Sequence, residues 1–278
     1  MLIKLLQSLP EFRGKNRLGK FLLKNFIATE RDKVMTGSKG TRFRVPNFAE
    51  PIGFSILVNG AHEKETSDFI LNYIKPNGTF VDIGANIGAI TVAVSAVRKD
   101  LTVLCVEASP KVFRYLEENV KLNNLVNCKL VNKAISDADG QKVSFFSPAD
   151  QHGKGSLSPV FTDKAEEVET ITVDTLLSSQ LTKPVDFIKI DIEGFEYFAF
   201  KSGEKVFGRP DAPVILFEFI DWAESNARGL TPGDSQRLIM KYGYFIYLFK
   251  DGKPTGEPLT EAITAPGLFM LFATKTKI

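Results

Sequence analysis

Cysteine, histidine and tryptophan are nearly missing from this chain: two, two and one in 278 residues. So few cysteines exclude a disulfide-stapled fold, and Cys105 and Cys128, both in strand-like runs, read as buried inert thiols rather than a metal site or a nucleophile. No apolar run approaches the ~20 residues that span a bilayer. The start, Met1-Leu-Ile-Lys-Leu-Leu6, has neither a long apolar h-region nor a small-residue cleavage site, so a cytoplasmic location is expected. Gly-Lys-Ser and Gly-Lys-Thr are absent, which excludes a P-loop, and no G-x-G-x-x-G occurs, which argues against a dinucleotide turn. Repeats and low-complexity segments are also lacking. What is present, 44% hydrophobic residues at a mean hydropathy of -0.03, suffices for a full core in one large domain or a domain with a small extension.

Net charge is only +2, yet residues 1–44 hold eleven Lys or Arg against three acids, a local +8. This basic leader is interleaved with Leu2, Leu5, Leu6, Leu9, Phe21, Leu22, Phe26 and Ile27. Two readings follow: an amphipathic helix packed on the rest with its charges in solvent, or a segment that lies on an anionic membrane or meets a phosphate-bearing substrate. Residues 1–48 are therefore expected to form a basic helical extension and residues 49–278 the main domain.

The most informative stretch is Thr79-Phe-Val-Asp-Ile-Gly-Ala-Asn-Ile-Gly-Ala-Ile-Thr91, which reads as strand, tight turn and helix N-terminus. Gly84 and Gly88 clear the backbone where a ligand approaches, and Asn86 tolerates a left-handed position. Asp82 offers a carboxylate at the strand end to a cationic group, and the free amides of the helix start favour polar or anionic ones. A second apolar run, Leu101 to Glu107, ends in an acid twenty-three positions after Gly84, the spacing at which a carboxylate takes adenosine ribose hydroxyls in a βαβ unit. S-adenosylmethionine, with an amino group, a carboxylate and an adenosine, meets all these features.

Strands are expected at 54–58, 101–107, 128–132, 143–146, 168–173, 185–191, 213–219, 244–249 and 268–274, and helices at 66–74, 89–97, 110–123, 196–205 and 234–242. Residues 136–172 change texture and read as an insertion on the substrate side, with a polar glycine-rich loop from 150 to 158 able to close over a substrate. Strands alternating with helices give a parallel sheet with ligands beyond the strand carboxyl ends, and two closing strands without a helix between them place the last antiparallel.

In these blocks the sequence resembles the FkbM family of S-adenosylmethionine-dependent methyltransferases. Val81 to Gly88 is similar to the family's cofactor loop and Val106-Glu-Ala-Ser-Pro110 to its ribose-acid segment. Asn119 to Asn124 and Asn132 to Asp137 match later blocks, and Val185-Asp-Phe-Ile-Lys-Ile-Asp-Ile-Glu-Gly-Phe-Glu196 follows the signature Asp-Phe-x-Lys-x-Asp-x-Glu-Gly-x-Glu. The resemblance covers about residues 60–247. It implies an α/β class I Rossmann-like fold, a seven-stranded mostly parallel sheet with an antiparallel last strand and helices on both faces. It also implies methylation, usually on oxygen, of saccharides, glycolipids or secondary metabolites. Cofactor contacts carried over are Glu63, Asp82, Gly84, Asn86, Gly88, Glu107, Ala108, Ala134 and Asp191. His62 stands where the family often has an aromatic residue, and Asn132-Lys-Ala134 stands where many class I enzymes have an acid for the adenine amine, leaving that contact to an amide or the backbone.

Methyl transfer to a hydroxyl needs three atoms in line, a proton acceptor and exclusion of water; alignment alone is worth about 7 to 11 kcal/mol in favourable cases. Candidate catalytic groups are Asp191, Glu193, Glu218 and His62, with Glu196 read as structural. Asp191 with Glu218 is also a candidate pair for a divalent cation such as magnesium. Lys189, mid-strand, is expected to pair with Asp186 or Glu218. His152 reads as a surface residue, and Trp222 as either core packing or a platform for a sugar face. The expected partner is a small-molecule or glycan hydroxyl acceptor. The alternatives are a nucleic-acid or protein methyltransferase, disfavoured because Asp191-Ile-Glu-Gly194 stands where an Asn-Pro-Pro-Tyr motif is needed, or an inactive cofactor-binding protein, disfavoured by the intact acids.

Overall fold

Five short runs dense in β-branched and aromatic residues form the parallel part of the central sheet in the computed structural model, which describes residues 2–148 and 151–278. Met1, Ala149 and Asp150, the last being the first residue of the expected glycine-rich loop, lie outside the described residues. The chain begins with α1 (Leu2–Ser8), α2 (Lys15–Leu22), α3 (Lys24–Thr29), an antiparallel hairpin of β1 (Arg31–Thr36) and β2 (Arg42–Asn47), then α4 (Pro51–Asn59) and α5 (Lys64–Tyr73). The alternating core follows: β3 (Thr79–Ile83), α6 (Ala89–Val97), β4 (Thr102–Val106), α7 (Pro110–Leu122) and β5 (Cys128–Val131). A separate three-stranded sheet is made by β6 (Ala134–Ile135), β7 (Lys142–Phe146) and β8 (Ala165–Ile171). The rest is α8 (Val173–Gln180), β9 (Phe187–Ile190), α9 (Glu196–Ser202), α10 (Glu204–Phe207), β10 (Val214–Ile220), α11 (Asp221–Asn226), α12 (Asp234–Lys241), β11 (Phe245–Lys250), β12 (Lys253–Thr255) and β13 (Leu268–Thr274).

The large sheet runs β12-β11-β13-β10-β9-β3-β4-β5, with β13 antiparallel to both neighbours, as the missing closing helix implied. It has eight strands rather than seven. The extra one, β12, follows Asp251 and Gly252, both at positive φ (50° and 72°), which fold the expected turn into a tight hairpin. Alternation along the strands splits the core: Phe80, Val103 and Phe187 face one layer, Val81, Leu104 and Ile188 the other.

Two local expectations fail. Residues 54–58 are helical, because Glu50 caps α4 by accepting from the amides of Ile52 and Gly53, Pro51 starts its first turn, and Gly60 ends it at φ 76°. These caps outweigh the strand preference of the β-branched run. The leader is not all helix either, since it ends in the β1–β2 hairpin. Helix α8, capped by Thr172 through the Thr175 amide, went unforeseen behind a strand-like run.

Order reverses between β3 and β9, which are parallel neighbours whose chains continue to opposite edges. The loops after these two strands therefore open a crevice at their carboxyl ends.

Candidate active site

At that crevice Gly84 sits at φ 80°, and a Cβ there would lie 1.8 Å from the Asp191 carbonyl oxygen, so only glycine lets the ends of β3 and β9 converge. Two residues on, Asn86 takes the left-handed position expected of it (φ 53°), which turns its amide toward Glu107. The Asn86 amide donates to Glu107 Oε2 at 2.9 Å and the Ser109 amide to Oε1 at 2.8 Å, fixing the carboxylate in the wall of the cleft. Burial pushes the Glu107 carboxyl up to about 7, the amide bonds opposing.

The cleft gathers Gly84, Asn86, Glu107, Ala108, Asp191 and Glu193 from the expected residues. Lys133, Ile135 and Phe145, unforeseen, bring the small sheet in as a second wall. Gly88 does not line the cleft; it starts α6 against Leu116. Ala134 is buried against Phe145 and Val168 beneath its flanking residues, and Asn132 spends its amide on the carbonyls of Glu107 and Ala108.

Asp82 is also set back, and its cationic partner is internal. It is fully buried, in register with Cys105 on β4 and Lys189 on β9, and Thr91 donates to its Oδ2 at 2.6 Å. Lys189 pairs with Asp191 (Nζ to Oδ2, 2.9 Å), not with Asp186, whose side chain instead accepts the Thr79 amide. Burial works against the Lys189 charge, but Asp191, Glu63 and Asp82 outweigh it and raise its pKa. Glu63 is held down to about 2, with His62 and Lys189 overcoming burial. Asp82 Oδ1 and Glu63 Oε2 are buried without a hydrogen-bond partner. His62 lies 3.5 Å from Glu63 but lines a different hollow, with Phe48, Pro51 and Phe54, outside the cleft.

Asp191 and Glu193, just past the end of β9, and Glu218, near the end of β10, bring one oxygen each to within 4.8 Å of one another. Burial, and then the Asp191 charge, push Glu193 and Glu218 well above the carboxylate range. Glu196, as expected, is structural: it accepts the Ile192 and Gly194 amides and shapes the turn that carries Glu193 at φ 51°. Both cysteines are free thiols.

His152 is no surface residue. It is 8% exposed, its Nδ1 lies 2.9 Å from Asn86 Oδ1, its carbonyl accepts the Asn86 side-chain amide at 2.6 Å, and its Nε2 lies 2.9 Å from Glu50 Oε2. The last contact is short but off-line for a hydrogen bond. Ser156 donates to the Glu193 carbonyl and Ser158 to that of Asn226, so the loop is strapped across the cleft.

The family model for the methyltransferase FkbM domain matches residues 82–245, more than half of the chain. The chain belongs to the FkbM methyltransferase family. Its fold is similar to that of precorrin-6y C5,15-methyltransferase from Geobacter metallireducens (11% identity, 78% of this chain and 93% of that one covered, TM-score 0.44). It is also similar to a TehB-like SAM-dependent methyltransferase from Corynebacterium glutamicum (12%, 80% and 94%, TM-score 0.44). A third likeness is TYW2 from M. jannaschii, solved in complex with AdoMet (15%, 88% and 85%, TM-score 0.41). Among curated proteins no sequence matches this FkbM chain.

Proposed function

We propose that the protein moves the methyl group of S-adenosylmethionine to a hydroxyl of a saccharide, glycolipid or secondary metabolite. The observation that carries the reading is the trio Asp191, Glu193 and Glu218 drawn together, the first two of them lining the cleft. Three carboxyls this close share protons, and Asp191, held at 2.9 Å by Lys189, is placed to accept the hydroxyl proton as oxygen attacks the methyl carbon. The residues fit the cofactor chemically. Glu107, aimed by two amides in the cleft wall, suits ribose hydroxyls. Trp222, 44% exposed and edge-on to Phe161, whose ring lies under the Lys154 ammonium, suits a sugar face; Lys154 in turn faces Glu193.

A second reading, magnesium between Asp191 and Glu218, draws on the same oxygen donors, which are the hard ligands such an ion takes. Against it, Asp191 Oδ2 is already spent on Lys189. Tritiated methyl transfer into cell-extract fractions, with and without chelator, tests both. Label in glycolipid or polysaccharide that persists under chelation supports the metal-free hydroxyl reading; loss under chelation favours the ion, and label confined to RNA or protein rejects the acceptor class.

A further inference from the structure

Helix α2 is packed inside out. Its buried residues are Lys15 and Gly19, one turn apart. Lys15 is satisfied there by Glu11 and the Leu9 carbonyl, and Gly19 lies so close to Val58 of α4 that a Cβ would come within 2.6 Å of it. Only the smallest residue and a paired lysine fit inward, so Leu18, Phe21 and Leu22, which share one helix face, point to solvent. Phe21 is 80% exposed, more than packing against its own chain allows. Leu2 and Leu5 of α1 and Phe12 before α2 are exposed as well, while Leu6 and Leu23 are the side chains that anchor these helices in the core.

Around this apolar surface stand Lys4, Arg13, Arg17, Lys20 and Lys24, all exposed and, among the described residues, without an ion pair. Isolated exposed leucines are ordinary, but several large apolar side chains on two helices that both pack on α4, flanked by unpaired cations, are not. The flanking cations make a second copy of the chain an unfavourable cover, since the same positive charges would face each other. A nucleic acid would satisfy the cations and leave the apolar face in water. An anionic bilayer satisfies both, taking the apolar side chains below the headgroups and the cations among the phosphates.

We infer that the face built from α1 and α2 docks the protein peripherally on an anionic lipid surface, with Phe21, Leu18 and Leu22 inserted and Arg17 and Lys20 on the lipid phosphates. The inference is independent of which acceptor the cleft takes.

Co-sedimentation of the full chain with vesicles of phosphatidylcholine alone, or of phosphatidylcholine mixed with phosphatidylglycerol, tests it. The protein is expected to pellet with the mixed vesicles only. Phe21→Ser should lower partitioning at least about tenfold, and Arg17→Gln about fivefold. Both residues are exposed, so both variants should melt like the parent. Failure to pellet with mixed vesicles overturns the inference. So does equal pelleting with both vesicle types, or partitioning that Arg17→Gln lowers and Phe21→Ser leaves unchanged, the mark of a generic polyanion site. A dimer in light scattering that Phe21→Ser dissociates, without vesicle binding, would assign the face to a second copy.

Discussion

At the scale of single residues, the site rests on backbone positions that few side chains can occupy. Gly84→Ala would force a left-handed alanine and drive its Cβ into the Asp191 carbonyl. Its expected cost is about 2 kcal/mol or more, read in urea unfolding, together with loss of calorimetric binding of S-adenosylhomocysteine. Glu107 gives a test by titration. Its carboxyl is pushed up to about 7 and a ribose hydroxyl donates best to the ionised form, so cofactor affinity should rise as pH passes upward through that value. Glu107→Gln should flatten this profile; an unchanged profile in the variant would remove Glu107 from cofactor binding. That Gly84, Asn86 and Glu107 meet at one cleft was legible, because glycines, Asn86 and a strand-end acid have few other uses at that spacing. What was not legible was the placement of Asp82 beside Lys189 on the neighbouring strand. Register between strands a hundred residues apart decides it, and nothing local announces that register.

Elements are joined by side chains that imitate backbone. Asn119 on α7, fully buried, accepts the Arg44 amide at 2.6 Å and donates to the Arg44 and Ile87 carbonyls. One turn later Asn123 does the same for Arg42. The pair staples β2 of the leader hairpin to the core, and Asn119 also holds the loop between β3 and α6. Asn119→Ala leaves three backbone groups, one buried and two partly buried, without this partner and should cost about 2 to 3 kcal/mol, with faster hydrogen exchange in β1 and β2 as the local readout. The strap across the cleft is the second such device. His152→Ala removes its grip on Asn86 and Glu50, so exchange of a bound fluorescent cofactor analogue in stopped flow should speed up severalfold while the fold is kept. The sequence displayed both asparagines within a recognisable block and the histidine within a polar loop, but a side chain's partner is set by which elements fold against it.

Across the whole molecule, buried acids set the pH response. Glu107, Glu193, Glu196 and Glu218 all have raised folded values, so folding takes up protons; their stabilisation is complete below the ordinary 4.5 and is lost as pH rises through the folded values. Groups shifted down, such as Glu63 and Asp68, act in a lower window, since above their unfolded values they are ionised in both states. The ligand-free protein should therefore melt at a higher temperature near pH 5 than near pH 9, by differential scanning calorimetry. Among the described residues no helix is long and apolar enough to cross a membrane.

Periodicity, turn residues and the order of acids in the chain were enough to specify a methyltransferase sheet with an antiparallel closing strand, because strand alternation and glycine geometry are properties of a dozen residues at a time. The tertiary structure alone decided that Phe54 to Val58 is helix, that His152 is a buried strap, and that α2 turns Phe21 outward. Each of these depends on what lies opposite, and for Gly19 that is Val58, close enough to leave no room for a side chain.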